Sequence, residues 1–493
     1  MNVRISLGHQ GKQTIKTRDV IAARLRRFGR DESGVMIVLT MLFLVLMMIM
    51  GGMAVDFMRF ESRRTMLQSV SDRAVLAAAD LDQDKVAAEV VIDYFEKAGF
   101  GGTIIGEPDV IDTPDYNSVG VNARYEMNSI YLRLLGIDTL SAPAAAKAIA
   151  GVANVEVSLV VDISGSMKDP VIPSDGSAST MSKIQALRAA STTFAEIMLT
   201  DAHVDNISLS LVPYSEQVSI GSELMAKLPV NVFHDYSDCI EFTNANFGTT
   251  GIDMTQTYQQ TQQFQFNPVR NNYGNFINGM DMALCPQDDF EQMVPLTQDL
   301  DTLKANIAQL KPRSGTAMHL GMKWGLALLD PSMRTPLNGI VDPVFADRPV
   351  NYSLNTNPED TQKVIVLMTD GQNSYSPRLV NSQYNSATEY DRWATKNLFY
   401  YLSQIGQVGY HSYYWYKKYT NTTSNFYLQQ LCTSAKNNGV IVYSVAVEAP
   451  ADGIVQLAEC ASSAAHFFNV SGDELETVFG AIAKQVTELR LSL

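Results

Sequence analysis

The chain has 493 residues, of which 46% are hydrophobic and 18% are charged, so most of it should fold rather than stay disordered. Its length suggests about three units of roughly 150 residues each. The net charge of −15 argues against nucleic acid as a partner, because phosphate binding needs a basic surface.

An uncharged apolar run near the N-terminus predicts a single membrane anchor. Residues 1–34 carry eight Lys or Arg and three acidic residues, a local charge of +5, and residues 35–55 carry no charge. A helix of about 20 residues spans the hydrocarbon core of a bilayer. The run is too long for an ordinary signal peptide and lacks an Ala-x-Ala exit, so we expect it to remain uncleaved. The preceding basic residues predict a cytoplasmic N-terminus and an extracytoplasmic remainder. A buried helix of a soluble protein is the alternative.

The helical pattern continues past the anchor, without proline before Pro108, and predicts one rod that ends near Ala79. Several features of this region stand out: the Gly34 junction, the Ala54-Val55-Asp56 exit, Leu67-Gln68, and Ser71-Asp72-Arg73-Ala74 before an alanine run. With these features the region resembles the N-terminal region of TadE/TadG-like proteins of tight-adherence (Flp) pilus systems. The resemblance implies a TadG-like protein of the bacterial inner membrane, with the bulk of the chain in the periplasm. Prepilins of this kind usually carry Glu five residues after the cleaved glycine, whereas this chain has Leu39, so we expect no cleavage after Gly34.

Residues 56–150 are predicted to form a pilin-like stem and a small α+β domain. We expect a helix over Val86 to Ala98, strands over Val119 to Tyr125 and Ala144 to Ala150, and a further helix over Met127 to Leu135. This part of the sequence carries no recognisable chemistry, which favours an interaction role over an enzymatic one.

Residues 151–493 alternate strand and helix patterns and predict an α/β, doubly wound sheet. The predicted strands are Val155 to Val161, Ile207 to Val212, Val364 to Met368 and Val440 to Val447. The predicted helices are Met181 to Leu199, Leu300 to Leu310, Ala317 to Leu329, Ile454 to Ala461 and Leu475 to Leu489. A second short strand, Gln217 to Ile220, is expected to return as an antiparallel edge hairpin.

The first of these strands ends in an Asp-x-Ser-x-Ser loop that offers Asp162, Ser164 and Ser166 as oxygen donors. Hard divalent cations prefer such ligands. An Asx-turn that caps the following helix is the alternative for this loop alone. Thr316 and Asp370 follow at the ends of later elements, and the loops of a doubly wound sheet converge at its carboxyl edge.

The five residues, in this order, resemble the metal-ion-dependent adhesion site (MIDAS) of von Willebrand factor type A domains. The resemblance implies one Mg²⁺ or Mn²⁺, with Ser164, Ser166 and Thr316 as direct ligands. It implies that Asp162 and Asp370 act mostly through water. It also implies that a vacant coordination position captures a carboxylate from another protein; a cation that only holds the loops together is the alternative.

Three insertions enlarge this domain, at about residues 221–295, 331–362 and 372–425. The third is rich in aromatic residues, and we predict a partner surface at Tyr413, Tyr414, Trp415 and Tyr416. The alternative is that these side chains pack the core of the insertion. The four cysteines all follow the anchor, and in an oxidising compartment they suggest two disulfides. Three pairings are open, and proximity favours Cys239 with Cys285 and Cys432 with Cys460.

Two functions remain in view. The first is a membrane-anchored, non-enzymatic component of tight-adherence pilus assembly or adhesion that binds other pilus-assembly proteins, pseudopilins or a surface ligand. The second is a metal-dependent hydrolase of the cell envelope. The metal loops supply no nearby general base, since His319 is expected to point into its own helix and Lys168 lacks the spacing of a Ser-x-x-Lys pair.

Overall fold

A computed structural model describes residues 33–80, 85–113, 116–151, 154–200, 206–353 and 361–488, together with residues 22, 24–27 and 29. The predicted end of the last helix at Leu489 lies outside the described residues. The chain divides into two compact units, Met1–Ala150 and Gly151–Leu493.

The first unit is organised on one long helix, α1 (Ser33–Ala78). By length and composition the segment Val35–Ala78 is able to cross a membrane. Its N-terminal half leaves apolar side chains such as Met36 and Met47 largely exposed. Its C-terminal half buries Leu67 and Ala74 in the core of the unit. The helix therefore changes from a free apolar rod to a packed element along its length.

The described part of the first unit that follows α1 packs against α1 from its middle to its C-terminal end. It consists of α2 (Ala87–Lys97), β1 (Asp109–Thr113), β2 (Tyr116–Asn128), a 3-10 turn (Leu132–Leu135) and β3 (Thr139–Gly151). The strands form one sheet in the order β1-β2-β3, with β1 antiparallel to β2. The predicted helix over Met127 to Leu135 is wrong, because the alternating pattern of β2 continues to Asn128 and only a single 3-10 turn follows.

The second unit contains a six-stranded sheet, three small sheets and ten helices within the described residues. The strands are β4 (Val155–Asp162), β5 (Ile207–Tyr214), β6 (Val230–Asn231), β7 (Ile240–Glu241), β8 (Tyr258–Gln260), β9 (Val269–Arg270), β10 (Phe276–Ile277), β11 (Val294–Thr297), β12 (Gln362–Thr369), β13 (Ser376–Leu379), β14 (Trp415–Tyr419), β15 (Ile441–Val447) and β16 (Phe467–Val470). The helices are α3 (Lys183–Met198), α4 (Ser222–Met225), α5 (Leu300–Gln309), α6 (Met318–Ala327), α7 (Arg334–Leu337), α8 (Ala387–Thr395), α9 (Leu398–Gln404), α10 (Asn421–Asn437), α11 (Ala451–Cys460) and α12 (Leu475–Glu488).

The large sheet has the strand order β11-β5-β4-β12-β15-β16. Five strands are parallel, and β11 alone in this sheet runs antiparallel, beside β5. In the register of the central strands, Val157 of β4 lies between Leu209 and Val364. The predicted doubly wound α/β sheet is confirmed, and its central strand β4 is the one that ends at Asp162.

Helices cover both faces of this sheet, which explains why β4 reads as a nearly continuous apolar run. On one face, Val157 and Leu159 pack with residues of α3, α5 and α12. On the other, Val160 packs with residues of α6, α10 and α11. Every residue of β4 is buried.

The edge strands differ from the prediction. Residues 217–220 do not form a hairpin with β5, since Ser219 makes only an isolated bridge to Gln292. The antiparallel edge position belongs to β11, which arrives about 80 residues later and contains Pro295. At the other edge, the short strand β16 was not predicted.

The insertions add smaller structures. The first contains the sheet β6-β8-β7 and the pair β9-β10, the second contains α7, and the third contains the antiparallel pair β13-β14 with α8 and α9. Phe264 of the first insertion shares a buried cluster with Trp393 of the third. Disulfides join Cys239 to Cys285, with Cα atoms 5.9 Å apart, and Cys432 to Cys460, at 5.1 Å. These are the two pairs favoured by proximity.

Candidate metal centre

Polar side chains converge at the carboxyl edge of the sheet, where the parallel strands β4 and β12 end. Asp162 is the last residue of β4, and Asp370 follows directly after β12. The two strands are hydrogen-bonded neighbours, so their terminal loops leave the sheet side by side. Both carboxylates are buried, with 0% and 3% of each residue exposed.

The loop after β4 is folded around the Asp162 carboxylate. One carboxylate oxygen accepts a hydrogen bond from the Ser164 backbone N–H at 2.6 Å, and the other accepts from the Thr369 hydroxyl at 2.5 Å. The first of these bonds is the Asx-type contact considered as an alternative for the loop. This Asx-type hydrogen bond is present, and it also positions the two serine hydroxyls of the loop.

These hydroxyls lie close to each other and to the second carboxylate. Ser164 Oγ and Ser166 Oγ are 3.2 Å apart, and Ser166 Oγ donates to Asp370 Oδ1 at 2.7 Å. Thr316 belongs to the third loop, immediately before α6. A Cβ built on Gly371 would lie 3.5 Å from Thr316 Oγ1 and 3.8 Å from Ser166 Oγ. The five predicted residues therefore lie in one cluster.

The third loop is tied to the loop after β12 by reciprocal hydrogen bonds. The Thr316 N–H donates to Ser374 Oγ at 2.9 Å, and the Ser374 N–H donates to the Thr316 carbonyl at 2.8 Å. Asn373 accepts from the Met318 N–H at the start of α6. On the other side, the Gly165 N–H donates to the Ser314 carbonyl at 3.0 Å. The backbone of the third loop is thus held by hydrogen bonds on both sides, which fixes the position of Thr316.

Electrostatics favour a cation among these residues. Burial, together with the neighbouring charge of Asp370, raises the pKa of Asp162 to about 7. Two carboxylates forced together without solvent gain stability from a positive charge between them. The hydroxyl oxygens of Ser164, Ser166 and Thr316 are ligands of the hard type that Mg²⁺ and Mn²⁺ accept. The donor set therefore fits a hard divalent cation.

A lysine that the sequence did not single out stands behind the cluster. Lys183 Nζ lies 3.2 Å from Asp370 Oδ2 and 3.5 Å from Glu448 Oε2, and its side chain is 10% exposed. In the sequence, a lysine in the first turn of α3 cannot be told from an ordinary solvent-exposed lysine, so no signal pointed to it. The formal charges of Asp162, Asp370, Glu448 and Lys183 sum to −2, which one divalent cation would balance.

The cluster differs from metal sites built on imidazole, thiolate or several carboxylates. Among the described residues, no group of three or more His, Cys, Asp or Glu is placed to hold a metal ion. His319 is fully buried, and burial lowers its pKa to about 3. Its ring packs 4.9 Å from Tyr419 and 5.3 Å from Phe247, measured between centroids. Lys168, beside Ser166, is exposed.

The predicted aromatic surface divides into two pairs. Tyr413 and Tyr416 are 68% and 47% exposed. Tyr414 is buried in the core of the third insertion, and the Trp415 ring packs 4.5 Å from Phe266. Tyr414 and Trp415 therefore pack in a core that the third insertion shares with the first, which is close to the alternative considered for these side chains. Only the outer pair is available to a partner.

Comparison with known proteins gives a family match at the N-terminus. Residues 34–81 match the Tad family of Flp pilus-assembly TadE/G-like proteins. That segment contains the exposed half of α1 and its transition into the core of the first unit. No curated protein sequence gives a significant match to this chain.

Similar solved structures include three proteins of bacterial pili. The pilus adhesin SpaC from Lactobacillus rhamnosus GG is 13% identical with a TM-score of 0.33, over 78% of this chain and 34% of SpaC. The vWF domain of the type V pili tip protein Mfa5 from Porphyromonas gingivalis is 13% identical with a TM-score of 0.33, over 69% and 97% of the two chains. The adhesive tip pilin GBS104 from Group B Streptococcus agalactiae is 12% identical with a TM-score of 0.32, over 68% and 100%.

This chain thus spans about a third of the SpaC structure that it matches. Likeness at this level carries no argument about function, and the fold is established by the strand order of the sheet itself. Five parallel strands, one antiparallel edge strand and helices on both faces make the second unit a doubly wound α/β fold.

Proposed function

We propose that this protein is a membrane-anchored, non-enzymatic component of tight-adherence (Flp) pilus assembly or adhesion. It binds a protein partner through a divalent-cation adhesion site. The observation that carries the proposal is the convergence of Asp162, Ser164, Ser166, Thr316 and Asp370 at one edge of a type A fold. The TadE/G-like match of residues 34–81 supports the pilus context.

The chemistry of the cluster supports capture of a carboxylate. Three neutral hydroxyls and two carboxylates, one of them already paired with Lys183, donate little negative charge to a cation. A bound Mg²⁺ or Mn²⁺ would therefore supply an electrophilic position for a carboxylate oxygen of another chain. The protein's own residues hold the cation and keep the loops rigid through the reciprocal hydrogen bonds of the Thr316 backbone with the N–H and the hydroxyl of Ser374.

The proposed location follows from the apolar run and the basic segment before it. Residues 35–55 cross the bacterial inner membrane once, with the N-terminus in the cytoplasm and the bulk of the chain in the periplasm. The disulfides Cys239–Cys285 and Cys432–Cys460 suit an oxidising compartment. In that position the site faces other pilus-assembly proteins, pseudopilins or a surface ligand.

A hydrolase would need a general base beside the bound cation, and the surroundings of the cluster favour the binding role. His319 is enclosed by aromatic rings, and its lowered pKa reflects that burial. Lys183 is committed to two carboxylates. The residues next to the cluster hold loops in place and leave none of these candidates poised against a water molecule.

Cation binding and partner binding need separate measurements. Thermal melts of the purified protein with Mg²⁺ or Mn²⁺ should show a higher melting temperature than melts with a chelator. Asp162→Ala should remove that difference, whereas Asp281→Ala, at an exposed aspartate, should retain it. Absence of any cation effect in the wild type would disprove the site.

Crosslinking and pull-down from cells then test the partner. The wild type should retain pilus-assembly proteins in Mg²⁺ and lose them in chelator, and Thr316→Ala should lose them in both. If the cation raises the melting temperature while capture is the same in chelator, the cation stabilises the loops and the adhesion role is wrong. Release of product from cell-envelope substrates by the purified protein would favour the hydrolase.

A further inference from the structure

The loop between β2 and β3 presents an apolar tip. Residues 129–138, here named the tip loop, are closed at the neck where the Ser129 N–H donates to the Asp138 carbonyl at 2.9 Å. Within it Leu132 is buried, whereas Leu134 is 74% exposed. The exposed apolar side chains of the tip loop are Ile130, Tyr131, Leu134, Leu135 and Ile137. Leaving so much apolar area in water costs about 25 cal/mol per Å².

The tip loop is fastened to one level of α1. The buried Asp56 carboxylate accepts hydrogen bonds from the backbone N–H groups of Ile130, Tyr131 and Leu132 at 2.7 to 3.1 Å. One turn earlier, a Cβ on Gly52 would lie 2.4 Å from the Tyr131 ring, so only glycine admits this approach. A carboxylate that holds three amides, and a glycine that admits the ring, fix the position of the loop.

The turn of α1 that holds the tip loop is the end of the uncharged segment, residues 35–55. Asp56 is the first charged residue after residues 35–55, so a helix that crosses the bilayer with this run places Asp56 at the hydrocarbon boundary. The exposed side chains of the tip loop lie beside the same turn of the helix. Tyrosine, present here as Tyr131, is a side chain enriched at membrane interfaces.

Basic side chains stand immediately beyond this boundary. Arg59 and Arg63, four residues apart on α1, line a cavity of about 390 Å³ together with Met58, Ser62, Tyr125 and Met127. At about 1.5 Å per residue, Arg59 lies roughly 4 to 5 Å beyond Asp56, within the headgroup region of a bilayer. Both arginine side chains are exposed. Arg59 Nη1 lies 3.4 Å from the Asp56 carboxylate, and the exposed remainder of its guanidinium, like that of Arg63, is placed for contact with lipid phosphates.

We propose that the tip loop is a second membrane contact of the first unit. Its apolar side chains enter the hydrocarbon boundary of the bilayer that α1 crosses, and Arg59 and Arg63 contact the phosphates of the same leaflet. The inference rests on the membrane anchor of the proposed function. A helix alone leaves rotation and tilt free, whereas a helix and a loop together fix the direction in which the stem leaves the membrane.

Depth-dependent quenching in vesicles tests the proposal on the full chain. Single cysteines replace Met47 in the middle of the apolar run, Leu134 in the tip loop and Ile111 on β1, and each is labelled with a polarity-sensitive fluorophore. The four native cysteines are paired and leave the label to the introduced thiol. Ile111 is a matched control, since it is apolar and 52% exposed. It pairs with Ser118, next to Asn117, whose amide contacts the carbonyl of Ala78 at the far end of α1.

In vesicles of phosphatidylcholine and phosphatidylglycerol, lipids brominated along the acyl chain should quench the labels at Met47→Cys and Leu134→Cys. Aqueous iodide should quench the label at Ile111→Cys alone. Replacing both arginines, Arg59→Gln with Arg63→Gln, should reduce lipid quenching at Leu134→Cys and leave Met47→Cys unchanged.

Two outcomes would overturn the proposal while leaving the anchor intact. If Met47→Cys is quenched by lipid but Leu134→Cys is quenched by iodide, the tip loop stands in water. If Leu134→Cys is shielded from iodide and also from brominated lipid, a protein surface covers the loop. If Met47→Cys itself escapes lipid quenching, the anchor fails and the tip-loop contact fails with it.

Discussion

The hydroxyl of Ser166 donates a hydrogen bond to the carboxylate of Asp370 at 2.7 Å, although 204 positions separate the two residues in the chain. In Ser166→Ala this contact and one hydroxyl ligand are lost together. We expect cation affinity to fall at least about tenfold, by analogy with outer-shell losses at metal sites. Without cation, stability should fall by only about 1 kcal/mol. Titration calorimetry with Mn²⁺ measures the first effect and chelator melts the second.

Ser382→Ala is the matched control for Ser166→Ala, because Ser382 is an exposed serine in the third insertion. Its cation affinity should equal that of the wild type. Equal affinity in Ser166→Ala would remove this hydroxyl from the proposed ligand set.

Lys183 provides a second test, since it pairs with both Asp370 and Glu448. Lys183→Met leaves these carboxylates without their cation, and breaking a buried pair in this way costs about 3 to 5 kcal/mol. Mg²⁺ should then restore more stability than it adds to the wild type, because it becomes the main positive charge in the cluster. Chemical denaturation with Mg²⁺ and with chelator gives both free energies of unfolding.

Lys168→Met, at an exposed lysine in the loop after β4, should leave both free energies of unfolding unchanged. A Lys183→Met protein that is destabilised equally with and without Mg²⁺ would show that the lysine and the cation site are not coupled.

The carboxylate of Glu241, which lies outside the proposed metal centre, should make the free energy of unfolding depend on pH. Burial alone raises its pKa, but the charges of Arg378 and Lys418 outweigh burial and lower the value from 4.5 to about 2. Its carboxylate therefore contributes stability that is complete above about pH 4.5 and is lost as the pH falls towards 2. In Glu241→Gln we expect a loss of about 3 kcal/mol at pH 7, because the buried Arg378 and the half-buried Lys418 lose their charged acceptor.

The difference between Glu241→Gln and the wild type should shrink between pH 4.5 and 2, which denaturant titrations across that range would measure. Glu223→Gln, at an exposed glutamate, should follow the wild type at every pH. A difference that stays constant down to pH 2 would contradict the assignment.

Asp56 gives a prediction for the first unit. In Asp56→Ala the backbone N–H groups of Ile130 and Leu132 lose their acceptor, and hydrogen bonds to charged groups contribute about 1.5 to 3 kcal/mol each. Hydrogen exchange should therefore become faster in the tip loop and stay unchanged in β1. Glu61→Ala removes an exposed acid of α1 and should leave hydrogen exchange in the tip loop as in the wild type. Unchanged exchange in Asp56→Ala would show that the carboxylate does not hold the loop.

Much of the second unit could be predicted because its central strands are covered on both faces. Such strands read as continuous apolar runs, and Val364 to Met368 lies inside the observed β12 (Gln362–Thr369). Asp162, Thr316 and Asp370 each lie at the end or start of a predicted element, and this order was sufficient to predict that they meet at one edge of the sheet. Short-range patterns carry this information.

The wrong or missed predictions concern contacts between residues that are distant in the sequence. The edge of the sheet beside β5 is filled by β11 rather than by residues 217–220, since the Ile220 N–H is taken by the Asp238 carbonyl in the first insertion. In the first unit, the apolar spacing of residues 127–135 mimics a helix, but Asp56 holds the segment as a loop. Lys183 is buried only because Asp370 arrives from another strand.

The central position of β4 between β5 and β12 sets an order of events during biosynthesis. Chains are made from the N-terminus, so α1 reaches the membrane well before β12 is translated. When Asp162 is synthesised, it has neither its neighbouring strand β12 nor the carboxylate of Asp370. The proposed cation site is therefore completed late, when β12 pairs with β4, and cation binding can serve as a readout of complete folding of the second unit.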